Sequence, residues 1–460
     1  MENLVTENVM SCILNLLDTS AAHVHFVGML GAGMLPLARL LHRRGMCVSG
    51  TDRRDVTADE RMITSGMTFT PYHTADGMHG VDLVVYSLAV PQDSPELVYA
   101  AGQGIPTVTR AELLGAVAST YKTSVAVAGT HGKSTTTAIL THILSTAGMS
   151  PTAVSGAPLT TGDALMIGGS DLFIMEACEY KNAFHAIRPT LAVVTNVDHD
   201  HVDCFPNIGS VAESFHRFLL GAGTVLLNGG CPVSMELAGR LGALTYGTPA
   251  ADYSLLAYTL GVDDSKFTML IDGEKCHFTI PVAGFGNLMD AVAAISAAYR
   301  LGTPVSQISD AVATFSGIAR RIQPLGTIRG RAVYYDYAHH PREIENTLSV
   351  LCRRHGGVGV IFRPHTYSRT AAFLDGFRAS LSIADAVALI DVYAARESED
   401  DGIPSSRLAE YIGNRAALVD LTAALDYILT HSCGAIVLMG AGEVDGILNE
   451  IKRRLDAPTV

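Results

Sequence analysis

Residues 123–148 read TSVAVAGTHGKSTTTAILTHILSTAG, and this stretch decides the fold. The apolar run Ser124–Ala128 predicts a buried strand, residues 129–132 a tight loop, and Thr135–Ala147 a helix stopped by Gly148. A strand, a glycine loop, a lysine, a hydroxyl and a helix, in that order, form a device for holding a triphosphate. Gly129 and Gly132 allow backbone N–H groups to turn onto phosphate oxygens, Lys133 supplies a compact cation, and Ser134 offers a hydroxyl to Mg2+. An exposed helix dipole contributes only about 0.3–1 kcal/mol to anion binding. Lys133 and a bound metal must therefore carry most of the phosphate charge. A strict Walker A loop would have glycine where Val127 stands.

Upstream, His23–Val27 predicts a strand leading into Gly28, Gly31 and Gly33 and then an amphipathic run, Leu35–His42, which is the opening of a doubly wound nucleotide-binding unit. The spacing G-x-x-G-x-G is not the dinucleotide fingerprint, so nicotinamide binding is not inferred. Asp52 closes a second strand, where an acidic residue meets a ribose or base. Further strands are expected at Asp82–Ser87 and Ile105–Thr109, the latter leading into Arg110. Downstream, Asp171–Met175 runs into Glu176-Ala-Cys-Glu179, and Leu191–Thr195 runs into Asn196-Val-Asp-His-Asp-His-Val-Asp203. Carboxylates at the carboxyl ends of strands lie where open α/β sheets place ligands, and oxygen donors there suit Mg2+. Residues 252–280 alternate around Asp272-Gly273, which predicts an antiparallel ribbon appended to the central sheet. Helices are expected over Asn287–Leu301 and Val305–Phe315. The last third restarts the strand and helix rhythm, with polar clusters after successive strands: Asp336-Tyr-Ala-His-His-Pro341, Arg363-Pro-His-Thr-Tyr-Ser-Arg369, Asp391-Val-Tyr-Ala-Ala-Arg-Glu397 and Gly440-Ala-Gly-Glu443.

A chain of 460 residues exceeds one hydrophobic core, and 48% hydrophobic with 17% charged residues marks it as globular. The fold class is α/β in three domains with mainly parallel sheets, divided at 1–120, 121–322 and 323–460. A net charge of −13 without a basic run excludes nucleic acid as a partner. The eight cysteines form no C-x-x-C pair, so free thiols and a reducing compartment are expected. Glu2 and Glu7 precede the first apolar stretch, and no window approaches the roughly 18 apolar residues of a membrane span. A cytoplasmic protein with no membrane partner is expected.

HFVGMLGAGM at 25–34, GTHGKSTTT at 129–137, EACEY at 176–180, TNVDHDHVDCF at 195–205, DYAHHPREI at 336–344, RPHTYSRT at 363–370, DVYAARE at 391–397 and GAGEV at 440–444 together resemble the Mur ligases. These are ATP-dependent, amide-bond-forming enzymes of peptidoglycan synthesis. The resemblance covers nearly the whole chain. It implies a Rossmann-like N-terminal domain for a UDP-sugar, a central P-loop ATPase-like domain and a Rossmann-like C-terminal domain that closes over the site. Within the family, RPHTYSRT and DVYAARE resemble the branch that joins L-alanine to the lactyl carboxylate of UDP-N-acetylmuramate.

By resemblance, Gly129, Thr130, His131, Gly132, Lys133, Ser134, Thr135, Asn287, Arg321 and Asp336 bind ATP, and Ser134, Glu176 and His201 hold Mg2+. Gly28, Gly31, Ala32, Gly33, Met34, Asp52, Ser87 and Arg110 bind the UDP-sugar. Tyr337, His339, Arg369 and Arg396 face the amino acid on closure, and Lys133, His201, His340 and Arg369 are the catalytic set. Gly286, Asp290, Tyr335 and Arg342 depart from the family pattern, as does Ser134 where threonine is commoner. Two other readings share most motifs: a recycling ligase that adds a tripeptide to the same nucleotide sugar, and a nucleotide-binding homologue with impaired catalysis.

Overall fold

The strand Thr123–Ala128 lies inside a seven-stranded sheet, hydrogen-bonded in parallel to Leu191–Val194 on one side and Leu172–Glu176 on the other. The structure is a computed structural model that describes residues 2–19, 21–53, 66–160, 162–395, 397–442 and 444–456. Because this strand is covered on both faces it is apolar throughout. Val125 joins a core with Ile139, Ile143 and Ile295, whereas Ala126 and Ala128 join another with Phe173, Phe215 and Phe218. The full order is Leu244–Tyr246, Thr224–Asn228, Leu191–Val194, Thr123–Ala128, Leu172–Glu176, Thr152–Val154 and Leu165–Met166, with the last strand antiparallel.

The helix after the phosphate loop begins at Lys133 and ends at Thr146, two residues earlier at its start than the sequence suggests. Gly132, at φ +82°, caps it. The three β-branched threonines in its first turns do not delay the helix, because Thr135, Thr136 and Thr137 are buried against the neighbouring helix Phe285–Arg300 and the sheet.

The N-terminal sheet is parallel, in the order Thr68–Pro71, Cys47–Asp52, His23–Val27, Leu83–Tyr86 and Thr107–Thr109. The C-terminal sheet runs Gln323–Ile328, Arg331–Asp336, Ala435–Gly440, Val358–Arg363, Ala386–Leu389 and Ala416–Leu418, with only the first strand antiparallel. All eight cysteines are unpaired.

One expectation is corrected. The ribbon Ser254–Leu260, Ser265–Ile271 and Glu274–Ile280 is a separate three-stranded sheet, joined to the central one only by the isolated bridge Tyr246–Tyr253. Its alternation creates one apolar face, including Phe267, Met269 and Phe278, and that face is satisfied by packing on the helices Phe285–Arg300 and Val305–Ala313. The Asp272-Gly273 turn is as expected, with both residues at positive φ, +49° and +82°, as a tight two-residue hairpin requires.

The N-terminal and central domains share one apolar core through the helix Arg110–Ser119, whose Leu113 and Leu114 meet Phe184 and Ile187. Gly115 sits at the closest approach, where a Cβ would lie 2.2 Å from the Ala186 carbonyl oxygen. Ala at a helical Gly usually gains up to about 1 kcal/mol, but a clash with backbone in a packed contact costs about 1–3 kcal/mol. Gly115→Ala is therefore expected to lower the thermal unfolding midpoint; a raised midpoint would show that this contact is not tight.

Candidate active site

Two glycines let the phosphate loop approach its neighbours. Gly129 and Gly132 adopt φ +133° and +82°, and a Cβ on them would stand 2.0 Å from Thr195 Oγ1 and 2.2 Å from Asp290 Oδ1. The loop is held from the adjacent strand end. The His131 N–H donates to Asn196 Oδ1 at 3.0 Å, while Thr195 Oγ1 and Asn196 Nδ2 donate to the His131 carbonyl. Thr130 Oγ1 accepts from the Asp198 N–H at 2.9 Å.

Lys133 Nζ donates to the carbonyls of Gly129 and Thr130 and to both oxygens of Glu179, at 3.1 and 3.0 Å. Burial works against the ammonium charge, but Glu179 outweighs it and the lysine pKa is raised. Burial likewise pushes the Glu179 carboxyl up, and Lys133 and His201 reverse it to a net lowering. The pair is thus ionised on both sides, with the cation held ready beneath the loop.

The residue facing Lys133 is Glu179 rather than Glu176. Glu176 ends its strand and accepts from Ser155 Oγ and, at 2.8 Å, from the Gly156 N–H, contributing to Lys133 only through its field. His201 Nε2 lies 3.6 Å from Glu179 Oε1, and its backbone is at φ +51°, a strained conformation held by Asp200, whose Oδ1 accepts from the His201 N–H at 2.7 Å. Among the described residues no three His, Cys, Asp or Glu side chains form a ready-made metal cage. Mg2+ does not need one, since it binds through one or two carboxylates together with phosphates and water. Glu179 and Glu176 are oxygen donors of that kind near Lys133, and His201 Nε2 lies beside Glu179.

The C-terminal domain meets this edge through a set of ion pairs. Arg369 donates through Nε and Nη2 to Asp200 Oδ1 at 3.0 and 2.8 Å, with both side chains buried. Burial alone would raise the Asp200 carboxyl, but Arg369 together with His201, His339 and His340 reverses this and holds it far below the usual carboxylate range. Glu343 accepts from His131 at 3.1 Å and from the His339 N–H at 3.1 Å, and Arg321 is 4.0 Å away. Arg342 pairs with Asp198 at 3.0 Å. His340 caps the helix Pro341–His355, its Nδ1 accepting from the Arg342 N–H, and its ring lies 4.5 Å from that of His131. Burial lowers the His340 pKa to about 4, so the ring is neutral. The Tyr337 ring lies beneath the Arg321 guanidinium at 5.9 Å.

Between the two domains is a cavity of about 570 Å³, whose lining includes His131, Gly132, Thr135, Asn287, Asp290 and Arg321. Asn287 Nδ2 donates to the Ala283 carbonyl at 2.8 Å, which fixes the amide at the rim. Asp336 lines the same cavity, and it and Arg369 both have partners within the protein. Asp336 accepts from the N–H groups of Ile322 and Ala338, both at 2.7 Å, and so pins the segment entering the last domain. Arg369 is turned onto Asp200.

In the N-terminal domain, Gly28, at φ +79°, lies against Ser87, and a Cβ on Gly33 would be 3.1 Å from Arg110 Nη1, so the glycine loop, Ser87 and Arg110 form one rim. Asp52 accepts from the Leu30 N–H at 3.0 Å and thereby ties this loop to the second strand. Gly31 is half-buried and Ala32 is exposed, whereas the Met34 side chain is in the core at 2% exposure and does not reach the rim. Arg396 lies outside the described residues. Among the described residues no helix is long and apolar enough to cross a membrane.

The sequence matches the profiles of three domains: the Mur ligase family catalytic domain over residues 23–122, the Mur ligase middle domain over 127–298, and the Mur ligase glutamate ligase domain over 320–442. It is 36% identical over 441 residues to the UDP-N-acetylmuramate–L-alanine ligase of Lachnospira eligens, covering 92% of this chain and 96% of that one. The chain belongs to the Mur ligase family. The similarly described ligase of Agathobacter rectalis is 35% identical, with 94% of this chain and 98% of that one covered. Among solved structures, the UDP-N-acetylmuramate-alanine ligase MurC of Thermotoga maritima superposes with a TM-score of 0.78 at 26% identity, covering 94% and 98% of the two chains. A murein peptide ligase from Psychrobacter arcticus gives a TM-score of 0.73 at 22% identity, covering 95% and 100%, a likeness of fold alone. As a Mur ligase the chain is an ATP-dependent, amide-bond-forming enzyme.

In this Mur ligase the buried Asp200–Arg369 pair joins the central and C-terminal domains. Removing one partner of such a pair costs about 3–5 kcal/mol because the other charge is left buried. Asp200→Asn is expected to open the two domains and raise the radius of gyration in small-angle scattering; an unchanged scattering curve would remove the pair as a latch. Because the folded-state Asp200 carboxyl is depressed, its contribution is present above the ordinary carboxylate range and is lost only as pH falls well below it. The wild-type radius should therefore stay constant from pH 8 to pH 5.

Proposed function

We propose that the protein joins L-alanine to the lactyl carboxylate of UDP-N-acetylmuramate, with hydrolysis of ATP to ADP and phosphate, in the synthesis of peptidoglycan precursors. The observation that carries this reading is the meeting of the Lys133 loop with the Arg369, His339 and His340 face at one sheet edge, in a chain that is 34–36% identical to ligases so described. We divide the chain at residues 120/121 and 322/323, with the UDP-sugar on the glycine rim of Gly28, Gly33, Ser87 and Arg110 and the ATP at the 129–135 loop.

The lactyl carboxylate attacks the γ-phosphorus of ATP, forming an O–P bond as the β–γ bridge breaks, and ADP leaves. The alanine amine, once it has lost its ammonium proton, adds to the acyl carbon. Phosphate departs with the C–O bond electrons, and the second amine proton is released. The first step brings two anions together, so the groups that lower its barrier are cations and positioned N–H donors. Lys133 moves from Glu179 to the phosphates, exchanging one anionic partner for another. The N–H groups of Gly132, Lys133 and Ser134 at the helix start would meet phosphate oxygens, that of His131 being held by Asn196. Asn287 and Arg321 line the nucleotide cavity, and Ser134, Glu176 and His201 would hold Mg2+, with Glu179 beside His201. When bound, Mg2+ neutralises phosphate charge. Closure by the C-terminal domain fixes the reacting atoms and excludes water that would hydrolyse the acyl phosphate.

Continuous ADP release should require UDP-N-acetylmuramate and L-alanine together. Release with a tripeptide in place of L-alanine would move the protein to the recycling activity, and none with either would indicate a non-catalytic homologue. Lys133→Ala should lower turnover by at least about a hundredfold in the same assay, the scale of losing one preorganised charge-stabilising group. Near-normal turnover would exclude Lys133 from the phosphate site.

A further inference from the structure

The nucleotide cavity contains a buried carboxyl group that the mechanism above does not use. Asp290 lies in the second turn of the helix Phe285–Arg300, buried, with Oδ1 so close to the phosphate loop that only a glycine fits at 132. It lines the same cavity as His131, Gly132, Asn287 and Arg321. A carboxylate here would meet the negative charge of an incoming triphosphate at close range in a poorly solvated site. A protonated carboxyl would instead present an O–H donor to it, as buried neutral carboxylic acids do.

We propose that Asp290 takes part in nucleotide binding as a neutral hydrogen-bond donor, so that affinity for the nucleotide falls when its proton leaves. The inference rests on the assignment of this cavity to ATP. Burial pushes the Asp290 carboxyl up to about 7 against the opposing pull of Arg321 and the Thr136 hydroxyl, and Glu343 adds to the rise. The groups around it are few. Arg321 comes from the segment entering the C-terminal domain and Glu343 from the helix Pro341–His355. Tyr246, itself raised by burial and by Asp290, comes from the edge strand Leu244–Tyr246. On the phosphate loop His131 is turned to Glu343, and Lys133 to Glu179. Arg321 and the Thr136 hydroxyl, from the helix Lys133–Thr146, compensate a negative charge on Asp290 only in part, since burial still leaves its pKa raised.

The test is the affinity for ADP with saturating Mg2+, measured by calorimetry from pH 6 to pH 8 in the wild type and in Asp290→Asn, whose amide is a permanent donor. An affinity that needs the protonated form falls with the fraction protonated, so the wild type should bind about tenfold more weakly at pH 8 than at pH 6 relative to the variant. A second variant, Arg321→Gln, removes the opposing cation and should move the midpoint of that loss to higher pH. Parallel profiles in wild type and Asp290→Asn, with ADP bound by both, would overturn the role of Asp290 and leave the ATP site standing. An unmoved midpoint in Arg321→Gln would do the same. Failure of the wild type to bind ADP at any pH would overturn the assignment of the cavity, and this inference with it.

Discussion

A lysine ammonium removed from water must be matched by negative charge, and the active edge of this protein is arranged around that requirement at Lys133. In the ligand-free chain the match is Glu179, which contacts the ammonium through both oxygens, with His201 adjacent. The glycine conformations at 129 and 132, the clamp from Thr195 and Asn196, and the strained backbone of His201 all serve to bring these groups to one point. Neither Lys133 nor Glu179 tolerates being left alone at that depth, so each holds the other in its ionised form.

The same logic governs how the domains meet. Asp200 is in the loop that carries His201, and Arg369 is on the C-terminal domain, so their ion pair connects domain position to the geometry beside Lys133. Glu343 repeats the arrangement, drawing His131 of the phosphate loop, His339 and Arg321 onto one carboxylate. These contacts favour a closed arrangement in the absence of substrate.

Much of the fold was legible from sequence because its signals are local. The strand, loop and helix around 123–148 and the Asp272-Gly273 hairpin depend on backbone preferences and on alternation over a few residues, and both formed as read. The glycine rim near residue 28 was visible for the same reason. What was not legible depends on contacts between distant segments. The chain turns after the strand end at Glu176 and delivers Glu179, three residues later, to Lys133. Asp336 and Arg369 stand in polar motifs after strands, yet one is taken up by backbone N–H groups and the other by a carboxylate 169 residues away. The ribbon at 254–280 had a correct internal register and a wrong neighbour, since an apolar face does not state what will cover it.

The sequence by itself determined the α/β class, the phosphate loop, the hairpin and the kind of chemistry, because glycine conformations, apolar periodicity and the charge needed to hold a triphosphate are properties of short stretches. Only the tertiary structure decided which carboxylate neutralises Lys133, which arginine holds the domains together, and that Asp290 faces the phosphate loop. Those outcomes turn on burial and on pairing across domain boundaries, and a charge has no fixed partner, ionisation state or role until folding removes it from water.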